Sequence, residues 1–379
     1  MITINGFLQR DRLHDLICRW MLNQPQPADA VTILELVYFN NAVVARYLSH
    51  FCEQLFRELH HCELSREQAF TKGDLKDRIA RDLPYPSPRF DSLLRGYASN
   101  PGRYYRETPF HGTLYFGAQG KPASYLGSSR VKRIRRLAEK SARRVVDWTF
   151  AGLQSTPAAA QADAALAGAE ASFLAQLRSG DCSSLPGNLV INDVAGVKVI
   201  LEASRPDPVL AVLQQLGCRV LEQEQHTGHY QATNLVIEFR PDKARLLAQP
   251  LSSQIARVFA GYGISAAQAS QRYAEFIASS EPTVNLEIIV SSYAQMLESE
   301  IGSCMHEERI IRQRRNPQYL GQLAQNVEFL MEYLFTFPAS GRREVGELPL
   351  CLWDCYLPDY FDEVLRRLFN VPSVELNDL

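Results

Sequence analysis

The chain has 379 residues, with 40 Lys and Arg against 42 Asp and Glu and 46% apolar side chains. That length suits two or three domains, and the apolar share is enough for a sizeable core. No apolar run is long enough to read as a membrane span, and Met1-Ile-Thr-Ile-Asn-Gly lacks the basic-then-apolar order of a secretory leader.

Phe7 to Arg81 reads as helical in period, and the stretch Val31 to Leu48 carries a broad apolar stripe suited to burial in a bundle. Pro84 to Pro109 contains Pro-Tyr-Pro-Ser-Pro and Asn-Pro-Gly-Arg-Tyr-Tyr-Arg and reads as a turn-rich connection. These signals place an N-terminal helical region at 1–110, a central domain at 111–315 and a C-terminal helical region at 316–379. In the last region, Tyr319 to Phe335 and Asp359 to Phe369 read as helices on either side of Phe337-Pro-Ala-Ser-Gly.

The central domain opens on a concentration of positive charge. Eight of the fifteen side chains from Arg130 to Arg144 are basic. Read as a helix, Ile134, Leu137, Ser141, Val145 and Trp148 share one face, while Arg133, Arg136, Lys140 and Arg143 form a second stripe. Ser128, Arg130 and Lys132 stand at its start, where free amides and the helix dipole favour an anion. Arginine grips phosphate through its fork, and lysine acts as a compact charge. By itself such a run is equally a solvated helix face.

An Ala-rich stretch from Thr156 to Ala175 follows, and then strand-like material. Leu189-Val-Ile191 and Val197-Lys-Val-Ile-Leu201 are rich in β-branched residues, with Asp193 and Ala195-Gly196 between them. Arg205 to Gly217 reads as a helix opened by proline and closed by glycine. Strands are expected around Tyr230 to Ile237 and Val284 to Val290, separated by a helical insert from Gln254 to Ile277. The order from the basic segment onward is helix, strand with acid, helix, strand, strand, helix, strand with acid, helix.

These residues resemble the synthetase domain of RelA/SpoT-type alarmone synthetases, a nucleotidyltransferase-like fold. Arg130-Val-Lys-Arg-Ile-Arg-Arg-Leu-Ala-Glu-Lys140 resembles that family's Arg-x-Lys-x-Ile-x-x-Ile-x-x-Lys phosphate segment. Asp193-Val-Ala-Gly-Val-Lys198 is similar to its Asp-x-x-Gly-x-Arg strand, with lysine for arginine. Tyr230-Gln-Ala-Thr-Asn-Leu-Val-Ile237 is similar to Tyr-x-Ser-x-His-Leu-x-Val, with alanine for serine and asparagine for histidine. Val284-Asn-Leu-Glu-Ile-Ile-Val290 resembles Val-Glu-x-Gln-Ile-Arg-Thr in outline, with the acid two places along and isoleucine for arginine. The resemblance covers roughly 112 to 315, with longer gaps between the motifs than the family has.

The resemblance implies an α+β protein with a mixed β-sheet, nucleotidyltransferase-like core flanked by helices. It implies transfer of pyrophosphate from ATP to the 3′-hydroxyl of GDP, GTP, an adenosine nucleotide or a tRNA 3′ end. Ser128, Arg130, Lys132, Arg136 and Lys140 would bind the ATP phosphates. Asp193 and Glu287 would hold Mg2+, with Glu238 as the alternative to Glu287, and Tyr230, Asn234 and Lys198 would meet the acceptor. The substitutions at Lys198, Asn234 and Ile289 leave two outcomes open, a divergent and toxic member with an unusual acceptor, or a catalytically silent nucleotide-binding regulator. Without the resemblance, an RNA-binding or scaffold protein is the competing reading of the basic segment, with salt-dependent affinity. The flanking helices suggest a regulatory partner or a homo-oligomer.

The eight cysteines are scattered, which fits a reduced, cytoplasmic setting. Cys351 and Cys355 form the one close pair and are expected to be buried structurally rather than to bind zinc. Cys304 and His306 lie two apart in a stretch that reads as one helix, on different faces, and are expected to serve surface or packing roles.

Overall fold

The computed structural model describes residues 2–4, 6–82, 87–107, 109–118, 121–126, 162–179, 189–191, 195–202, 205–227, 231–303, 305, 322–340 and 342–345. The basic segment and the helix expected at Asp359 to Phe369 lie outside the described residues, as do Cys304, His306, Cys351 and Cys355. Helices and strands are mixed, as expected of an α+β chain. Among the described residues no helix is long and apolar enough to cross a membrane.

The N-terminal part is not helical throughout. It contains β1 (Ile2–Ile4), α1 (Arg10–Met21), α2 (Asp29–Leu34) and α3 (Asn40–His60), the last two joined by a π-helical turn at Glu35–Phe39. The strand β2 (Leu64–Thr71) then interrupts the helical run before α4 (Lys72–Arg81). The Thr71 side chain accepts from the Asp74 N–H and Asp74 accepts from the Thr71 N–H, a reciprocal cap that starts α4. The passage expected to be turn-rich contains a twelve-residue helix, α5 (Pro88–Ser99). Ser87 caps it by accepting from the Phe90 N–H, and Pro88 occupies its first position.

The remaining strands are β3 (Pro109–Ala118), β4 (Lys121–Leu126), β5 (Leu189–Ile191), β6 (Gly196–Leu201), β7 (Arg219–Thr227), β8 (Gln231–Phe239) and β9 (Val284–Ser292). Between and after them lie α6 (Ala162–Ser179), α7 (Asp207–Gln215), α8 (Lys243–Leu247), α9 (Ser253–Ala260), α10 (Ala266–Ala278), α11 (Tyr293–Ile301) and α12 (Gln322–Thr336). α7 stops where the sequence says it should. Gly217 takes φ +70, its N–H bonds Gln214, and the Cys218 N–H reaches back to Leu213.

A seven-stranded mixed sheet runs in the order β2-β3-β4-β6-β9-β8-β7, and β1 pairs separately with β5. β6 and β9 are parallel; every other neighbouring pair in the large sheet is antiparallel. On one face, Val197, Val199, Leu235, Ile237, Leu286, Ile288 and Val290 join a core that also contains Phe7, Phe51, Phe56, Leu323 and Leu330. Helices that precede and follow the central strands therefore share one apolar core with the sheet. Phe39 is its aromatic hub, stacked on Phe259 at 4.8 Å and edge-on to Tyr273 and Phe276.

The opposite face is polar at one end and apolar at the other. Tyr115 and Ile200 pack there with Leu75, Ile79, Phe90, Tyr293, Met296 and Leu297 from the helices above. The free edge β7 is exposed along nearly its whole length. Leu221 bulges out of register between Val220 and Glu222, and Arg219, Glu222 and Glu224 add charge, both devices that discourage pairing with another strand.

Candidate functional site

Residues directly opposite across a ladder share a face. The register sets Gly196 beside Glu287 and Lys198 beside Ile289 on one side, and Val236 beside Glu287 and Asn234 beside Ile289 on the other. Two rows follow on the polar face, Gly196–Glu287–Val236 and Lys198–Ile289–Asn234. Three of the residues singled out in the sequence, Lys198, Asn234 and Glu287, therefore meet on three adjacent strands. The outer strand extends both rows with Glu222 and Glu224, paired with Val236 and Asn234.

Glu287 is 7% exposed on the central strand. A buried carboxylate is costly unless it is bonded, and Asn234 Nδ2 donates to its Oε1 at 3.4 Å. The other oxygen, Oε2, faces Gly196, where a Cβ would stand 3.5 Å away. The Glu287 backbone N–H donates to the Ala195 carbonyl at 2.9 Å. Asn234 Oδ1 is buried and accepts no hydrogen bond. Leaving such an acceptor unmatched costs about 1–3 kcal/mol.

Lys198 is 8% exposed, and its Nζ donates to Ser299 Oγ at 3.0 Å. Ser299 belongs to α11, where it lies between two buried acids. Glu300 pairs with Lys72 at 3.2 Å, both side chains 3% exposed. Glu298 takes the Arg89 guanidinium and accepts from the Ser303 N–H and hydroxyl at 3.1 Å. One turn beyond Lys72, the fully buried Lys76 donates to the Tyr104 carbonyl at 2.7 Å. A layer of bonded charge thus lies between the sheet and the helices α4 and α11, behind Lys198. None of Lys72, Lys76, Glu298, Ser299 or Glu300 was singled out in the sequence. The available signal was an acid-Ser-acid triplet on an otherwise apolar helix.

Glu238 sits at the far end of β8, opposite Asn285. Its carboxylate pairs with Arg219 at 3.1 Å and accepts from Thr283 at 3.3 Å, the part of a strand-end acid. Ser128, Arg130, Lys132, Arg136, Lys140, Asp193 and Tyr230 lie outside the described residues.

The described side chains fit a hard divalent cation in kind, through the Glu287 carboxylate and the unmatched Asn234 amide oxygen. They do not complete a site. Among the described residues no three His, Cys, Asp or Glu side chains gather closely enough to hold a metal. Comparison with family models, with curated proteins and with solved structures finds no match to this chain.

Proposed function

We propose that the chain is a magnesium-dependent pyrophosphokinase with a nucleotidyltransferase-like core, acting on a nucleotide or on a tRNA 3′ end. One observation carries the reading. The backbone of Glu287 is bonded to Ala195, and two peptide links, a reach of about 7 Å, join Ala195 to Asp193. The buried acid Glu287 thereby lies on the strand beside the one that Asp193 precedes by three residues in the sequence.

In this reading the acceptor's 3′-hydroxyl oxygen bonds to the β-phosphorus of ATP, the bridge to the α-phosphate breaks, and AMP leaves while the hydroxyl proton passes to solvent. Asp193 and Glu287 hold Mg2+, which supplies neutralisation of the charge that develops on the phosphates. Ser128, Arg130, Lys132, Arg136 and Lys140 hold the ATP phosphates, and Tyr230 and Lys198 meet the acceptor. Mass analysis of products after incubation with ATP, Mg2+ and each of GDP, GTP, ADP and tRNA tests the reaction. A heavier acceptor by one pyrophosphate supports it, and an unchanged panel counts against it.

A second reading, a nucleotide-binding regulator without turnover, is favoured by Lys198. Its ammonium is already engaged by Ser299, whereas a free cation would serve a substrate phosphate better. Tight nucleotide binding in calorimetry with no product from any acceptor would select this reading.

A further inference from the structure

We propose that His50 and Arg245 form a pH-sensitive latch, which holds α8 against α3 while the imidazole is neutral and lets it go once the imidazole is protonated. The latch stands apart from any reaction and is measured without one.

Arg46, His50 and Glu53 follow one another along α3 at spacings of four and three, so they project from one side of the helix. Two of them grip the passage that leaves β8. Arg46 donates to the Gln249 carbonyl at 3.1 Å, to the Pro250 carbonyl at 2.5 Å and to the Tyr273 hydroxyl at 2.8 Å. His50 Nε2 meets Arg245 Nη1 at 2.6 Å. Arginine stays charged and can only donate, so Nε2 must be the acceptor and the ring neutral, with its proton on Nδ1. Asp242 caps α8 by accepting from the Arg245 N–H at 3.1 Å, which puts the residue that touches His50 in the first turn of that helix.

The two grips differ in what acid does to them. The Arg46 bonds run from a permanent cation to neutral oxygens and do not change near neutrality. A protonated His50 cannot accept from Arg245, and the two cations repel. Burial and then Arg245 hold the His50 pKa below its ordinary value, while Glu53 and Asp242 pull the other way. Glu53 is itself paired with Arg66 at 3.3 Å, and Lys243, the other cation of α8, donates to the Ala278 and Ser280 carbonyls. A depressed folded value means that the contact is fully present above the unfolded value of about 6.5 and is lost as pH falls through the lower folded value. Acid therefore frees the start of the passage while Gln249 and Pro250 stay anchored, and the doubly protonated ring turns to Glu53 and Asp242.

Nuclear magnetic resonance of the full-length protein with isotope-labelled histidine, titrated from about pH 8 to 5, tests the latch. His50 should titrate below 6.5. The Leu246 and Ala248 amides, which donate to the Asp242 and Ala244 carbonyls, should lose protection against hydrogen exchange over the same pH range. Arg245→Gln keeps a donor but removes the charge, and should raise the His50 pKa. His50→Gln still accepts from Arg245 but cannot titrate, and should keep the α8 protection constant across that range. A wild-type His50 that titrates at or above 6.5, a pKa unmoved by Arg245→Gln, or the same acid-induced loss of protection in His50→Gln would overturn the proposal.

Discussion

The backbone N–H of Glu287 donates to the carbonyl of Ala195 at 2.9 Å. This bond locks the central strand β9 to the start of β6 and fixes which way the Glu287 side chain leaves the sheet. It places a buried acid beside a glycine, with Asn234 on one flank and Lys198 on the other. The predictions below concern that face and the packing that supports it.

Lys72 and Glu300 form a buried ion pair behind the site. Removing one partner leaves the other charge buried without its ion-pair mate, so Lys72→Met should destabilise the fold by about 3–5 kcal/mol in denaturant unfolding. The double variant Lys72→Met/Glu300→Leu should recover much of that loss. Equal and additive losses would show that the two charges are not coupled.

Gly302 ends α11 in direct contact with Glu298. A Cβ there would stand 2.6 Å from the Glu298 Cα and 2.9 Å from its Cδ, so the backbone must move. Gly302→Ala should cost about 1–3 kcal/mol. It should also loosen the Arg89–Glu298 pair, so that a further Arg89→Ala change adds less than it does in wild type. A Gly302→Ala protein as stable as wild type would contradict the close packing.

Asp29 gathers the Arg19 guanidinium at 2.7 and 3.0 Å, the Trp20 indole N–H at 2.8 Å and the Gln26 N–H at 2.8 Å. Burial pushes its carboxyl up, but these donors outweigh burial and hold it below the ordinary value. The folded-state value is therefore depressed. The stabilisation is complete above the unfolded value of about 3.9 and is lost as pH falls through the lower folded value. The stability difference between wild type and Asp29→Asn should be constant near neutrality and shrink below about pH 4 in urea unfolding. A difference that grew on acidification would contradict this arrangement.

Glu281 accepts the backbone N–H groups of Gln9 and Arg10, both at 2.6 Å, and so caps α1 from the segment leading into β9. Gln9 adds bonds to the Phe276 carbonyl and the Ser279 hydroxyl. Glu281→Ala should cost about 1–2 kcal/mol as a lost charged cap. Amide hydrogen exchange should speed up in the first turn of α1, and unchanged protection there would rule the cap out.

Much of the central sheet was legible in the sequence because its strands are buried. Val284 to Val290 and Val197 to Leu201 carry β-branched runs, and the Pro-to-Gly frame of α7 marks both its ends. Leu64 to Thr71 was not legible, since it is an edge strand whose side chains, Ala69 apart, are exposed or half-buried and show no apolar alternation. The helix at Pro88–Ser99 was hidden by its prolines, although Ser87-Pro88 is itself a start signal. In the candidate site, the family resemblance brought out Lys198, Asn234 and Glu287. Lys72, Ser299 and Glu300 join Lys198 only through the packing of α4 and α11, and no local pattern announces that meeting.

The most direct test of the central claim is AMP release from ATP and Mg2+ by wild type, Asp193→Ala and Glu287→Gln, using the acceptor that the product screen identifies. Glu287→Gln keeps the size and the contact with Asn234 while removing the charge. Both variants should remain folded and lose about 10²-fold or more in rate, as expected when charge stabilisation at a transferring phosphoryl group is removed. AMP release at the wild-type rate by folded Glu287→Gln would contradict the account.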